Sequence, residues 1–202
     1  MPLIESSLTV LLLWAVIGYL LGSIPFGVVV ARAMGLGNLR NIGSGNIGAT
    51  NVLRTGSKPA AVATLLLDGA KGAVALLLAR AVSGEDAAQL AALMAMIGHC
   101  YPVWLKFNGG KGVATFLGIL LALAWPAGIA ACLAWLIGAA VSRMSSVGGL
   151  LAAASSSILV MVLGFGSAYL LCVLLTLIVF WRHRANIGRI RAGTEPKIGQ
   201  KG

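Results

Sequence analysis

The chain has 202 residues, of which 59% are hydrophobic and 10% charged. Soluble domains carry about 25% charged residues and disordered chains far fewer apolar ones than this, so composition excludes both and leaves a bilayer-embedded protein. Fifteen Lys and Arg against five Asp and Glu give a net charge of +10; cytoplasmic membrane loops account for it without nucleic acid, and it also suits lipid headgroups or an anionic substrate.

Helix-length apolar runs follow one another at about 8–31, 59–80, 87–105, 113–142, 147–163 and 167–181, against the roughly 20 residues that a span needs. They leave no room for a soluble domain, so residues 1–202 are expected to form one all-α, polytopic membrane domain. The first run follows Glu5 rather than a basic segment and is too long for a cleaved signal peptide. The run 113–142 is interrupted at Trp125-Pro126, and a proline inside a helix breaks or kinks it. A single crossing there puts the tail from Arg182 to Lys201, with its six Lys and Arg, outside. Two short helices or a re-entrant hairpin put it inside, which the positive-inside rule favours. With the N-terminus outside, thirteen cations lie on the cytoplasmic side and only Arg80 lies outside, near Glu5, Glu85 and Asp86. Seven helical segments are predicted, those over 113–124 and 167–181 shorter than ordinary spans. Gly164-Phe165-Gly166-Ser167 separates the last two, because the 35 residues 147–181 as one helix would be about 52 Å long.

Cys100, Cys132 and Cys172 sit inside apolar runs, odd in number and without a C-x-x-C spacing, so neither a disulfide framework nor a zinc site is expected. His99 and His183 lack any supporting ligand pattern, and no metal is expected.

The unusual sequence gathers on the cytoplasmic side, at 40–58, 106–112, 142–146 and 182–197. The first stretch runs from Asn41 through Gly43, Ser44, Gly45, Asn46, Gly48, Thr50 and Asn51 to Arg54. Its glycines can turn N–H groups toward an anion, and the Arg54 fork suits phosphate. Gly43-x-Gly45-x-x-Gly48, with Asp68 twenty residues on, matches a dinucleotide fingerprint, but that fingerprint needs a strand before it and a βαβ unit. The neighbours here are membrane helices, so it is rejected. A plain flexible linker seldom carries Asn, Thr and Arg in this density. The second stretch is Gly98-His99-Cys100-Tyr101-Pro102, then Lys106 to Thr115 with Gly109-Gly110-Lys111-Gly112 at a helix opening. Bare N–H groups, a helix N-terminus and a lysine make a phosphate cradle, though not a Walker A loop. Lys106 reads as a headgroup-binding lysine and His99 as a packing histidine. In the third stretch, Arg182 to Lys197, a continuous helix places His183 and Asn186 on one face with Arg182 and Arg189; Arg184, Arg191, Lys197 and Lys201 read as a positive-inside tail. Glu195 is the single carboxylate on that surface and either pairs with a cation or receives a substrate hydroxyl. Arg143 with Ser142, Ser145 and Ser146 suits phosphate oxygens at a helix junction. Asp68 and Lys71, three residues apart in mid-span, are either functional or a neutralising pair.

The stretches Gly43–Asn51, Gly109–Thr115 and Arg182–Ile187 resemble the three signature motifs of the bacterial membrane acyl-phosphate:glycerol-3-phosphate acyltransferases, the PlsY type. The similarity runs from Gly22-Ser-Ile-Pro-Phe-Gly27 to Glu195. It implies transfer of a fatty acyl group from acyl phosphate to the 1-hydroxyl of glycerol 3-phosphate, giving lysophosphatidic acid and phosphate, with neither acyl-CoA nor acyl carrier protein as donor. It implies no cofactor, a bacterial inner-membrane location with the site facing the cytoplasm, and coupling to a reaction that makes acyl phosphate. By motif position it assigns substrate binding to Ser44, Gly45, Asn46, Thr50, Asn51, Arg54, Gly109, Gly110, Gly112, Arg143 and Glu195, and catalytic roles to Lys111, Ser146, His183 and Asn186.

Acyl phosphate is already activated, so such an enzyme positions two anions and stabilises charge rather than supplying a covalent nucleophile. Neither histidine carries an Asp at the His-x-x-x-x-Asp spacing, since those positions are Trp104 and Gly188. His183 and the glycerol 3-phosphate phosphate both stand as candidate bases. A small transporter of phosphate esters shares the helices, the charge and the glycine loops, but transporters place substrate near mid-bilayer between repeats, whereas these motifs lie at one face.

Overall fold

The computed structural model describes residues 1–199, so Lys201 lies outside the described residues. Ten α-helices follow in order: α1 Leu8–Ser23, α2 Phe26–Ala33, α3 Ala49–Leu53, α4 Lys58–Ser83, α5 Glu85–Cys100, α6 Val113–Leu123, α7 Trp125–Ser142, α8 Ser145–Val162, α9 Tyr169–Arg182 and α10 Arg184–Arg191. The described residues contain no strand. Five stretches are long and apolar enough to cross a membrane: 8–33, 58–83, 85–105, 125–142 and 145–162. The segments 166–182 and 184–191, bent by 60°, make a sixth when counted as one span, while α6 is shorter. At 11 residues, α6 is about 16 Å long.

Local chemistry sets the breaks. Pro25 disfavours helix at the residue before it; Ile24 is extended, and the first run is two helices rather than the one expected. Ser57 caps α4 by accepting the Ala60 N–H, with Pro59 in the first turn, and Gly84 ends it at φ 105°. The hinge between α6 and α7 falls at Ala124, before Trp125-Pro126, so the 113–142 run is two helices. The third motif departs from expectation. His183 closes α9 and opens α10, and the bend there parts Arg182 from the face that carries Asn186 and Arg189.

Small residues let the helices approach, as membrane packing favours. A Cβ on Gly22 of α1 would lie 2.0 Å from the Ala95 carbonyl oxygen of α5, and one on Gly118 of α6 would lie 2.1 Å from that of Gly69 in α4. Leu12, Leu13, Val16 and Leu20 remain exposed on α1, as a lipid-facing surface requires. Asp68 and Lys71 form a buried pair, Nζ to Oδ1 2.7 Å. Lys71 also donates to the Ile24 carbonyl at 2.8 Å, and Thr115 donates to the Asp68 carbonyl at 2.8 Å. The two side chains neutralise each other, one of the two readings open for them, and Lys71 ties α4 to the α1–α2 break; the Thr115 bond to the backbone ties α4 to α6 separately. His99 lies beside it, Nδ1 3.6 Å from Asp68 Oδ1.

Candidate functional site

The four motif segments meet around one cavity of about 560 Å³. Ser44, Asn46, Thr50, Asn51 and Arg54 line it from the first. Asn51 braces that loop: its Oδ1 accepts the Ser44 N–H at 3.1 Å and its Nδ2 donates to the Leu39 carbonyl at 3.0 Å. Gly43 sits at φ 51°, where glycine is favoured, and a Cβ there would press to within 2.5 Å of the Arg54 side chain.

The second segment contributes Lys111, Gly112, Val113 and Ala114. The Gly109 and Gly110 N–H groups are not bare, contrary to expectation. They donate to the Cys100 and His99 carbonyls, both at 3.1 Å, and neither glycine lines the cavity. The anion-facing part lies further on. Gly112, at φ 86°, caps α6, and Phe116 makes the first bond, to the Gly112 carbonyl at 2.7 Å. The N–H groups of Val113 and Ala114 therefore precede the intrahelical ladder at the positive end of the helix. Burial pushes the Lys111 ammonium down to about 8; Glu195 opposes this, and Arg189, Arg54 and Arg182 add to it.

From the third and fourth segments come Ser145, Ser146, His183, Asn186, Arg189 and Glu195. Glu195 pairs with a cation, one of its two expected roles. Its Oε2 accepts from Arg189 Nε at 2.8 Å, and its Oε1 accepts from Ser146 Oγ at 2.7 Å and Asn186 Nδ2 at 2.6 Å. Burial alone would raise the Glu195 carboxyl; these three bonds outweigh it and hold it below the usual carboxylate range. A carboxylate only accepts, so Asn186 must present its NH₂ to Glu195. That leaves Asn186 Oδ1, a buried acceptor with no partner among the described residues. His183 Nδ1 faces the Val179 carbonyl at 2.8 Å, so it carries the proton there and a neutral ring keeps Nε2 as an acceptor.

Besides Gly109 and Gly110, two more expected residues are elsewhere. Arg143 is exposed, in the left-handed cap of α7 at φ 60°, and does not line the cavity; serine-rich junctions recur in loops, and spacing could not reveal its direction. Gly45 turns away, its N–H bonded to the Ile42 carbonyl and its carbonyl to Arg40. Arg40 also donates to the Asn108 carbonyl, joining the first loop to the second. Asp68, one of the mid-span residues left open, lies in the cavity wall, and so does His99, read as a packing histidine. Unanticipated was an apolar limb of Leu65, Leu117, Cys132, Trp135 and Leu136, which look like any lipid-facing residues in sequence. Among the described residues, no three of His, Cys, Asp and Glu are grouped to hold a metal ion. The cavity thus has a cationic end at Arg54 and Lys111, with Arg189 paired to Glu195 and Asp68 to Lys71, and an apolar limb.

A family model described as glycerol-3-phosphate acyltransferase matches residues 12–193. The glycerol-3-phosphate acyltransferase of Roseobacter denitrificans is 68% identical over 98% of this chain and 100% of its own length. That of Ruegeria pomeroyi is 68% identical over 100% of this chain and 99% of its own. The crystal structure of PlsY (YgiH), an integral membrane glycerol 3-phosphate acyltransferase, in its glycerol 3-phosphate form superposes with a TM-score of 0.88 at 36% identity, over 94% of this chain and 96% of that one. Its lysophosphatidic acid form gives 0.85 at 34%, over 94% and 95%.

Proposed function

The chain belongs to the glycerol-3-phosphate acyltransferase family, of the PlsY type, and on that premise we propose that this acyltransferase uses acyl phosphate as donor, acylates the 1-hydroxyl of glycerol 3-phosphate, and releases lysophosphatidic acid and phosphate. The observation that carries the reading is the two-ended cavity. Both substrates are phosphates and one has a long apolar tail; Arg54, Lys111 and the α6 N-terminus suit the phosphates, while Leu65, Leu117, Trp135 and Leu136 suit the chain. The related PlsY has been solved with glycerol 3-phosphate and with lysophosphatidic acid, and we take the same two ligands to occupy this cavity.

In the reaction the 1-hydroxyl oxygen bonds to the acyl carbonyl carbon, the carbon–oxygen bond to phosphate breaks, and the hydroxyl proton ends on the departing phosphate. Asn186 Oδ1, the orphaned buried acceptor, receives a glycerol hydroxyl proton as a hydrogen bond. Lys111 and Arg54 hold phosphate and stabilise the leaving charge. Ser146 and Glu195 hold Asn186 and Arg189 in place. The first acceptor of the proton is His183 Nε2 or the phosphate of glycerol 3-phosphate, and His183→Ala separates them: survival of kcat assigns the substrate phosphate. The chain forms one domain in a bacterial inner membrane, crossing in seven segments with its N-terminus outside and its site cytoplasmic, and takes acyl phosphate from a separate reaction that makes it.

Purified protein in detergent, given acyl phosphate and glycerol 3-phosphate, tests this directly. Phosphate and lysophosphatidic acid should form one to one, with EDTA present and with no turnover of acyl-CoA. Comparable rates from acyl-CoA would overturn the donor assignment.

A further inference from the structure

Gly109 and Gly110 have no backbone group left for a ligand. Their N–H groups are taken by the Cys100 and His99 carbonyls. Their carbonyls are taken by one side chain: Arg182 Nη2 donates to Gly109 and Arg182 Nε to Gly110, both at 3.0 Å. The turn is also wedged, since a Cβ on Gly110 would fall 2.1 Å from His99 Nε2. The Arg182 guanidinium lies over the Tyr101 ring, 5.0 Å from its centre. Arg182 itself does not line the cavity, whereas its neighbour His183 does. The bend at His183 makes this division, leaving Arg182 at the end of α9 beside the turn while α10 carries Asn186 to the cavity.

We propose that Arg182 is a positioning residue for the acyl transfer, clamping the Gly109-Gly110 turn so that Lys111 and the first N–H groups of α6 face the substrate phosphate. The proposal rests on the reading of Lys111 as a phosphate ligand. Two glycines in succession leave a loop with wide conformational freedom, and the residue that follows them inherits it unless the turn is held. A planar fork reaches two successive carbonyls at once; a single ammonium does not reproduce it. The Arg182 charge disfavours the ammonium of Lys111, so the benefit of a cation there is geometric.

The test is a double-mutant cycle on the full chain in detergent, following phosphate release over a range of glycerol 3-phosphate and recording thermal unfolding of each variant. Arg182→Gln should lower kcat/KM about ten- to a hundredfold, the size of a lost charge-assisted phosphate contact at Lys111, while the protein still unfolds cooperatively. Arg182→Lys should restore only part. Lys111→Arg keeps a charge and a measurable rate, and adding Arg182→Gln to it should cost much less than in the unaltered protein, because the clamp acts through Lys111. Full multiplication of the two effects, or a rate for Arg182→Gln equal to the unaltered protein, overturns the proposal. If Arg182→Gln does not fold, the same cycle with Arg182→Lys decides it. Lys111→Ala at full rate overturns the underlying ligand reading instead, whatever Arg182 does.

Discussion

Lys111 separates a phosphate cradle from a basic surface loop. A lysine that holds a substrate phosphate loses one charge-assisted contact on truncation, about 1.5–3 kcal/mol or roughly ten- to a few hundredfold in rate or affinity. A headgroup-binding lysine contributes only about 1 kcal/mol to membrane association. Lys111→Ala should therefore lower transfer at least tenfold, while Lys106→Ala, outside the cavity lining, keeps most activity; equal, near-normal rates would refute the cradle. The same residue sets a pH limb. Lys111 is protonated below about 8 and neutral above it, and an anion needs the protonated form. kcat/KM for glycerol 3-phosphate should fall above pH of about 8, approaching tenfold per unit, and a flat profile to pH 10 would remove Lys111 from phosphate binding. Ser44, Arg54, Lys111 and Asn186 were legible because Gly, Asn and Arg together are unusual in membrane loops. The Gly109 and Gly110 N–H groups were misread as bare because a glycine pattern shows that N–H groups are unshielded by side chains, not which way they point.

At the scale of elements, the sequence displayed the helices by their apolar runs and the breaks by Pro25, Gly84 and Pro126. The break at His183 was not legible, since Arg182-His183-Arg184-Ala185 carries neither Gly nor Pro and reads as continuous helix. Packing decides it: Arg182 must reach the Gly109-Gly110 turn while Asn186 reaches Glu195. The Asp68–Lys71 pair shows the reverse, two residues conspicuous in sequence whose partners only the fold supplies. Both side chains are about 3% exposed, so removing one charge strands the other. Asp68→Asn should destabilise by about 3–5 kcal/mol, read as a fall in the unfolding midpoint in detergent. An unchanged midpoint would mean that the pair does not hold α4 against the α1–α2 break.

The cavity constrains the whole molecule more firmly than charge counting does. Arg54, Lys111, Ser146 and His183 line one space, so the chain between each successive pair must return to the side it left. That requires α4 with α5, α6 with α7, and α8 with α9 to cross as pairs. The inside placement of the tail, expected for residues 113–142, agrees with this: Lys111 before them and Ser146 after them share the cavity. Parity relates the segments only to the site, and the proposal of a cytoplasmic site rests on the thirteen cations on that side and the positive-inside rule. In a version lacking Cys100, Cys132 and Cys172, single cysteines at the exposed positions Arg32, Lys106 and Arg184 should resist an impermeant thiol reagent in intact cells and react once the membrane is opened. Cysteines at Val82 and Ser167, exposed at the opposite ends of the helices, should react without opening. Protection of all five would place the far loops within the membrane. A split between Lys106 and Arg184 would break the shared cavity itself, and with it the assignment of both phosphate-binding segments to one reaction.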